Sequence, residues 1–171
     1  MLLLETRMLL TTIVPCPGEG VNTLKILGDD SDEVIEVFPT GDSLVVKVNG
    51  VAQSFLNIDS VLVYGEDGND VIKLRGNLSY FADGGDGDDL LVGSVGNDWL
   101  QDGYGKDTII GGEGNDYIVG GFDEDSLLGG PGNDVLLGEH GADTLLGGSG
   151  TDTAMTDTSF VDSLSSVESV L

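Results

Sequence analysis

From Gly84 to Met155 the chain repeats every nine residues without a slip. That period constrains the fold more than any other feature, because a unit so short cannot bury a face of its own and must stack on copies of itself. The clearest units read GGEGNDYIV (111–119) and GGPGNDVLL (129–137), with glycine at the first, second and fourth places, an acid at the sixth and an apolar residue at the eighth. The frame also holds for GGDGDDLLV (84–92), GSVGNDWLQ (93–101), DGYGKDTII (102–110), GGFDEDSLL (120–128), GEHGADTLL (138–146) and GGSGTDTAM (147–155), with an outlying copy, GEDGNDVIK, at 65–73. A solenoid is the expected architecture.

Glycines at places one, two and four suit a turn whose backbone visits positive φ and keeps its carbonyls clear of side chains. Places six to nine then form a very short strand. Asp70, Asp89, Asp98, Asp107, Asp116, Asp125, Asp134, Asp143 and Asp152 all fall at the sixth place, so stacking the units puts like charges in columns that repel one another. Lysine and arginine cannot neutralise them, since residues 64–155 carry three of these against nineteen acids. A metal cation is required. Carboxylate and carbonyl oxygens, with one histidine and no cysteine in the region, are hard donors that select Ca²⁺ over zinc or copper. Magnesium, which demands a tight octahedron and keeps its waters, fits less well.

The eighth place supplies the expected interior: Ile72, Phe81, Leu91, Leu100, Ile109, Ile118, Leu127, Leu136, Leu145 and Ala154. One such side chain contributes about 1.5–3 kcal/mol on burial, whereas each ordered residue gives up roughly 1–2 kcal/mol of backbone entropy. Hydrocarbon alone cannot hold the repeats together. A site with a dissociation constant of about 10⁻⁴ M contributes about 1.4 kcal/mol in millimolar calcium.

These units resemble the hemolysin-type calcium-binding nonapeptide repeats of the RTX family, whose pattern is G-G-x-G-x-D-x-U-x. The resemblance implies an all-β fold, a right-handed parallel β-roll in which unit n stacks on unit n+2 and calcium lies between coils. Carried onto this chain, one column of ligands is Asp70, Asp89, Asp107, Asp125 and Asp143, and the other Asp98, Asp116, Asp134 and Asp152. Turn carbonyls complete the sites, with Gly84, Gly87, Gly93, Gly96, Gly105, Gly111, Gly114, Gly129 and Gly132 as their sources. The upper bound is about seven ions. The family also implies secretion, with a type I exporter as partner.

Departures from the pattern mark weaker places. In the frame LRGNLSYFA (74–82), Ser79 falls where the acid belongs and Asp83 follows as an extra residue, so no calcium is expected there. Asp102 replaces a first glycine, Asp123 a fourth, and Glu66, Ser94 and Glu139 occupy second places; strained turns and weaker binding are expected at each.

Residues 22–63 alternate with period two, and NTLKILG, EVIEVF, SLVVKV, VAQSFL and SVLVYG read as five strands. Asn49-Gly50 is a hairpin signal. The segment is expected to form a β-meander that caps the roll and covers its edge. Within it GDDSDEVIE (28–36) mimics a repeat, with Ser31 for glycine and Glu33 for aspartate; a solvated acidic turn is the plainer reading, a weak calcium loop the other. Residues 1–21 read as a disordered leader or the product of a misplaced start codon, since Glu5 and Arg7 interrupt the apolar run a signal needs. After Met155 the frame dissolves, and 156–171 are expected to close the far end through Phe160, Val161, Leu164, Val167 and Leu171.

A net charge of −25 argues against nucleic acid and anionic membrane surfaces as partners, and no run is apolar enough for a membrane span. His140 has no catalytic companions, and the motifs of serine hydrolases, zinc proteases and phosphate-binding loops are missing from the sequence. Val92, Ile110, Val119, Leu128, Leu137, Leu146 and Met155 make apolar stripes at the outward ninth place, suited to self-association or to packing on another domain. Trp99 and Tyr117 are expected to stack outside. The sequence therefore reads as a secreted, non-catalytic module that folds on binding calcium. The rival readings are the C-terminal part of a larger exported enzyme, or a surface-adhesion element.

Overall fold

Each nine-residue unit makes one turn and one short strand, so consecutive strands alternate between two sheets and every second strand lies side by side. The computed structural model, which describes residues 13–15, 22–155, 163–167 and 169–170, has this form and contains no helix among them. In one sheet Trp99–Gln101, Tyr117–Phe122, Val135–His140 and Thr153–Met155 pair in parallel. In the other, Leu90–Val92, Thr108–Ile110, Ser126–Pro131 and Thr144–Ser149 do the same. Among the described residues each sheet has nine strands. The register aligns Leu100, Ile118, Leu136 and Ala154 on one side of the interior and Leu91, Ile109, Leu127 and Leu145 on the other. All eight are inaccessible to solvent. The chain is a parallel β-roll.

All five N-terminal strands form. Val34–Thr40, Ser43–Val48 and Val51–Leu56 make an antiparallel meander at the end of the second sheet, turning at Asn49 and Gly50, both with positive φ (47° and 85°). The flanking strands join the solenoid itself: Asn22–Leu27 pairs in parallel with Ser60–Asp67, and Val34–Thr40 with Val71–Leu74. Coiling thus begins well before the regular repeats. These early strands turn two apolar side chains inward each, Leu24 and Ile26, Ile35 and Val37, Val61 and Val63, Ile72 and Leu74, so one inner corner of each early coil is hydrocarbon while the other keeps Glu33 and Asp70.

Residues 74–82 differ from the nonapeptide frame. Phe81, expected inward, pairs with the outward Trp99, and Ala82 with the inward Leu100; Ala82 is the buried one. The extra residue is absorbed in the turn before Tyr80, not after the strand, and a slip of one residue exchanges the two faces. Tyr80, not Ser79, therefore occupies the sixth place.

Ile13–Pro15, read as part of the leader, pairs antiparallel with Asn22–Leu27; the rest of residues 1–21, Cys16 included, lies outside the described residues. At the other end Ser163–Ser165 and Ser169–Val170 extend the two sheets in parallel by one strand each. Leu164 sits beside Leu145 in the register but is 39% exposed, while Val167 packs partly buried against the core. Phe160, Val161 and Leu171 lie outside the described residues.

Candidate metal centre

The sixth-place aspartates end each glycine turn just as the strand begins, which points their side chains along the solenoid axis toward the preceding coil. There each Oδ1 accepts the backbone N–H of the sixth residue one coil earlier. Asp89 receives Asp70 (2.6 Å), Asp107 receives Asp89 (2.9 Å), Asp125 receives Asp107 (2.9 Å) and Asp143 receives Asp125 (2.9 Å). In the second column Asp98 receives Tyr80, Asp116 receives Asp98, Asp134 receives Asp116 and Asp152 receives Asp134, at 2.8–2.9 Å. The nine acids stand in the two columns that the period predicts.

The other oxygen is the informative one. Oδ2 of Asp70, Asp89, Asp107, Asp116, Asp125 and Asp134 is buried and receives no hydrogen bond from any N–H or hydroxyl. A buried charged oxygen without a partner is expensive. Burial raises the carboxyls of Asp70, Asp107, Asp116 and Asp125 from 3.8 to about 7, and charges in the same column push further in that direction. Asp89, Asp98 and Asp134 are also raised by burial.

First-place glycines show what the space beside Oδ2 is for. A β-carbon at Gly65, Gly111 or Gly129 would collide with Oδ2 of its own unit's aspartate and crowd the first-place carbonyl of the next coil, Gly84, Gly129 or Gly147 respectively. Gly93 stands likewise against Asp98 Oδ2 and the Gly111 carbonyl. An anionic oxygen and a carbonyl oxygen thus converge on a cradle kept open by a missing side chain, a donor set that suits Ca²⁺. Of the predicted glycines, Gly84, Gly111 and Gly129 bring carbonyls to these cradles, and Gly93 opens one. The fourth-place glycines form a separate stack: β-carbons at Gly87, Gly105, Gly114 and Gly132 would strike the carbonyls of Gly68, Gly87, Gly96 and Gly114, and one at Gly96 that of Leu78.

The irregular units behave differently. Asp98 Oδ2 accepts Ser94 N–H at 2.6 Å, so the serine at the second place supplies a donor that its regular neighbours lack. Glu33 stands at the head of the first column, its N–H donating to Asp70 Oδ1 (2.7 Å), and its own oxygens are satisfied by Asp29 N–H (3.0 Å) and Ser31 Oγ (2.7 Å). At the insertion Tyr80 fills the corner instead, buried, with its hydroxyl donating to the Arg75 carbonyl (2.8 Å). Glu66, Asp123 and Glu139 keep their turns at φ of 75°, 76° and 68°, a strained conformation for residues with side chains.

Two features escaped the sequence reading. The fifth place carries a second ladder running the opposite way, in which Asn97 Oδ1 accepts Asn115 N–H, Asn115 accepts Asn133 and Asn133 accepts Thr151, each at 2.8 Å. The recurring Gly-Asn-Asp triplet was its signal. Asp102, expected only to weaken its turn, is buried and brings its carboxylate against Gly84, within 4.8 Å of Asp89 and Asp107 oxygens.

This geometry defines a class, the solenoids built to hold cations between their coils. The family model of the RTX calcium-binding nonapeptide repeat matches residues 60–74, 83–118, 92–127 and 119–154, half of the chain, and the chain belongs to that family. Repeats of this family bind calcium. No curated protein and no solved structure matches the chain. No helix among the described residues is long and apolar enough to cross a membrane.

Proposed function

We propose that the protein is a secreted, non-catalytic calcium-binding module whose repeats fold as the ions bind. The observation that carries this reading is the row of buried Oδ2 atoms that receive no donor, those of Asp70, Asp116, Asp125 and Asp134 each beside a first-place glycine. Asp70, Asp89, Asp98, Asp107, Asp116, Asp125, Asp134, Asp143 and Asp152 supply the carboxylates, and the first-place carbonyls of Gly84, Gly111 and Gly129 complete cradles between coils, for up to about seven ions. Calcium, when bound, supplies the positive charge that these columns lack. Without it the acids repel across each pair of coils, and the chain stays open at low cytosolic calcium, a state suited to threading through a type I exporter. At extracellular calcium the coils close.

A calcium titration followed by circular dichroism tests this. The β signal is expected to rise with calcium and to fall when chelator is added; a signal indifferent to chelator contradicts the reading. A second reading, self-association or adhesion, is favoured by Leu146 and Met155, 36% and 37% exposed at the ends of the ninth-place stripes. Calcium-dependent change of elution volume on a sizing column is its test.

A further inference from the structure

First places in the first sheet stack as one column through Gly28, Gly65, Gly84, Asp102, Gly120 and Gly138. Five of these six are glycine, and Asp102 alone adds a side chain. At Gly65, Gly93, Gly111 and Gly129 the cradle between two coils draws its second oxygen from a backbone carbonyl, as Gly84 supplies one beside Asp70 Oδ2. In the next coil the position of a β-carbon on Gly84 lies 2.5 Å from Asp89 Oδ2 and 2.5 Å from both Asp102 carboxylate oxygens. Asp102 therefore reaches back into the cradle of the preceding coil and takes the carbonyl's place there with a full charge.

The side chain is held in that direction. Its Oδ1 accepts N–H groups from both coils, Gly85 at 3.1 Å and Gly103 at 3.0 Å, which leaves Oδ2 buried and without a donor. Asp89, Asp102 and Asp107 are 3%, 8% and 2% exposed, and each has an unpartnered Oδ2. One oxygen from each lies within 4.8 Å of the others. Among the described residues this is the one place where three acids gather so closely.

We propose that Asp89, Asp102 and Asp107 form a three-carboxylate calcium site that binds more tightly than the carboxylate-carbonyl cradles elsewhere in the roll, and so fills first. The inference rests on the calcium-binding reading above and adds an order to it. Calcium affinity rises with the number of charged ligands and with their rigidity, and both are greater here. A unit that departs from the repeat pattern thereby becomes its strongest site, near the junction between the apolar coils and the regular repeats.

Isothermal titration of the chelator-stripped full chain with CaCl₂ tests this against three variants. The wild type is expected to show a first equivalent bound about tenfold or more tightly than the rest. Asp102→Gly, which restores the residue found at neighbouring first places, and Asp102→Asn, which keeps the shape without the charge, are both expected to lose that step and keep the weaker ones. Glu113→Gln, which removes an exposed acid, is expected to retain it. A wild type without a tight first step, variants that retain it, or an Asp102→Gly chain that binds an additional or tighter ion would overturn the proposal, the last because Asp102 would then be an obstruction. Absence of calcium binding by the wild type would overturn the function as well, whereas uniform sites would overturn this inference alone.

Discussion

The coils from Asn22 to Ala82 and those from Gly84 to Met155 share one backbone path and differ in what fills the corner between inner face and turn. In the first set one of each coil's two corners holds hydrocarbon, while the other keeps the buried acids Glu33 and Asp70. Val37 and Leu74, stacked in register, occupy the position that Gly93 and later first-place glycines occupy in the second sheet, and Tyr80 replaces the sixth-place acid. In the second set the same corner holds a carboxylate facing a missing side chain. A solenoid coil closes either way, and on the proposed function only the hydrocarbon corner closes unaided. On that proposal the N-terminal coils are a preformed end on which the cation-dependent coils stack.

Substitutions that exchange the two corners break this comparison most strongly. Leu74→Ala opens a cavity in a corner that no ion fills, and should cost about 2–5 kcal/mol, equally in calcium and in chelator, as read by urea denaturation. Asp116→Ala removes one carboxylate from the repeats and leaves Asp98 N–H without its acceptor. It should cost on the order of 3 kcal/mol in millimolar calcium and nearly nothing in chelator. Ser79→Ala, at a turn whose corner Tyr80 already fills, should leave the calcium stoichiometry unchanged by native mass spectrometry.

Acid should partly replace calcium along the two acid columns, from Asp70 onward. The carboxyls of Asp70, Asp107, Asp116 and Asp125 stand near 7 in the folded chain against an ordinary 3.8. A raised folded-state value favours the folded form while the proton is held. The stabilisation is therefore complete below 3.8 and is lost as pH rises through about 7. In chelator the β signal should grow as pH falls across that window, and in calcium the midpoint concentration should rise over the same range as protons compete for the carboxylates. A small gain is expected at a single turn: Asp123→Gly relieves a residue held at φ 76° and should stabilise the calcium-loaded chain by about 1 kcal/mol.

The period of nine made the roll, the two acid columns and most of the eighth-place interior legible, because stacking repeats what one unit dictates. Its failures fall where the pattern breaks. The extra residue near Asp83 could be counted but not placed, and placing it on the wrong side of the strand exchanged Phe81 with Ala82. Val37 follows GDDSDEVIE and Leu74 heads LRGNLSYFA, both at the glycine place of the frame, but only the stacking shows that they fill with hydrocarbon the corner a glycine leaves open elsewhere. Asp102 looked like a damaged turn because a first-place side chain must point somewhere, and only the stacking direction reveals that it enters the cradle one coil back. The fifth-place asparagines were visible in every Gly-Asn-Asp triplet, yet their ladder depends on a coil-to-coil distance that sequence does not carry.

Hydrogen exchange read peptide by peptide, with and without chelator, tests the central claim most directly. The account predicts that in calcium both regions are protected, and that chelator strips protection from the coils between Gly84 and Met155 while those between Asn22 and Ala82 keep theirs. Equal protection of both regions in chelator would contradict it, because the buried carboxylates would then need no cation to stay together.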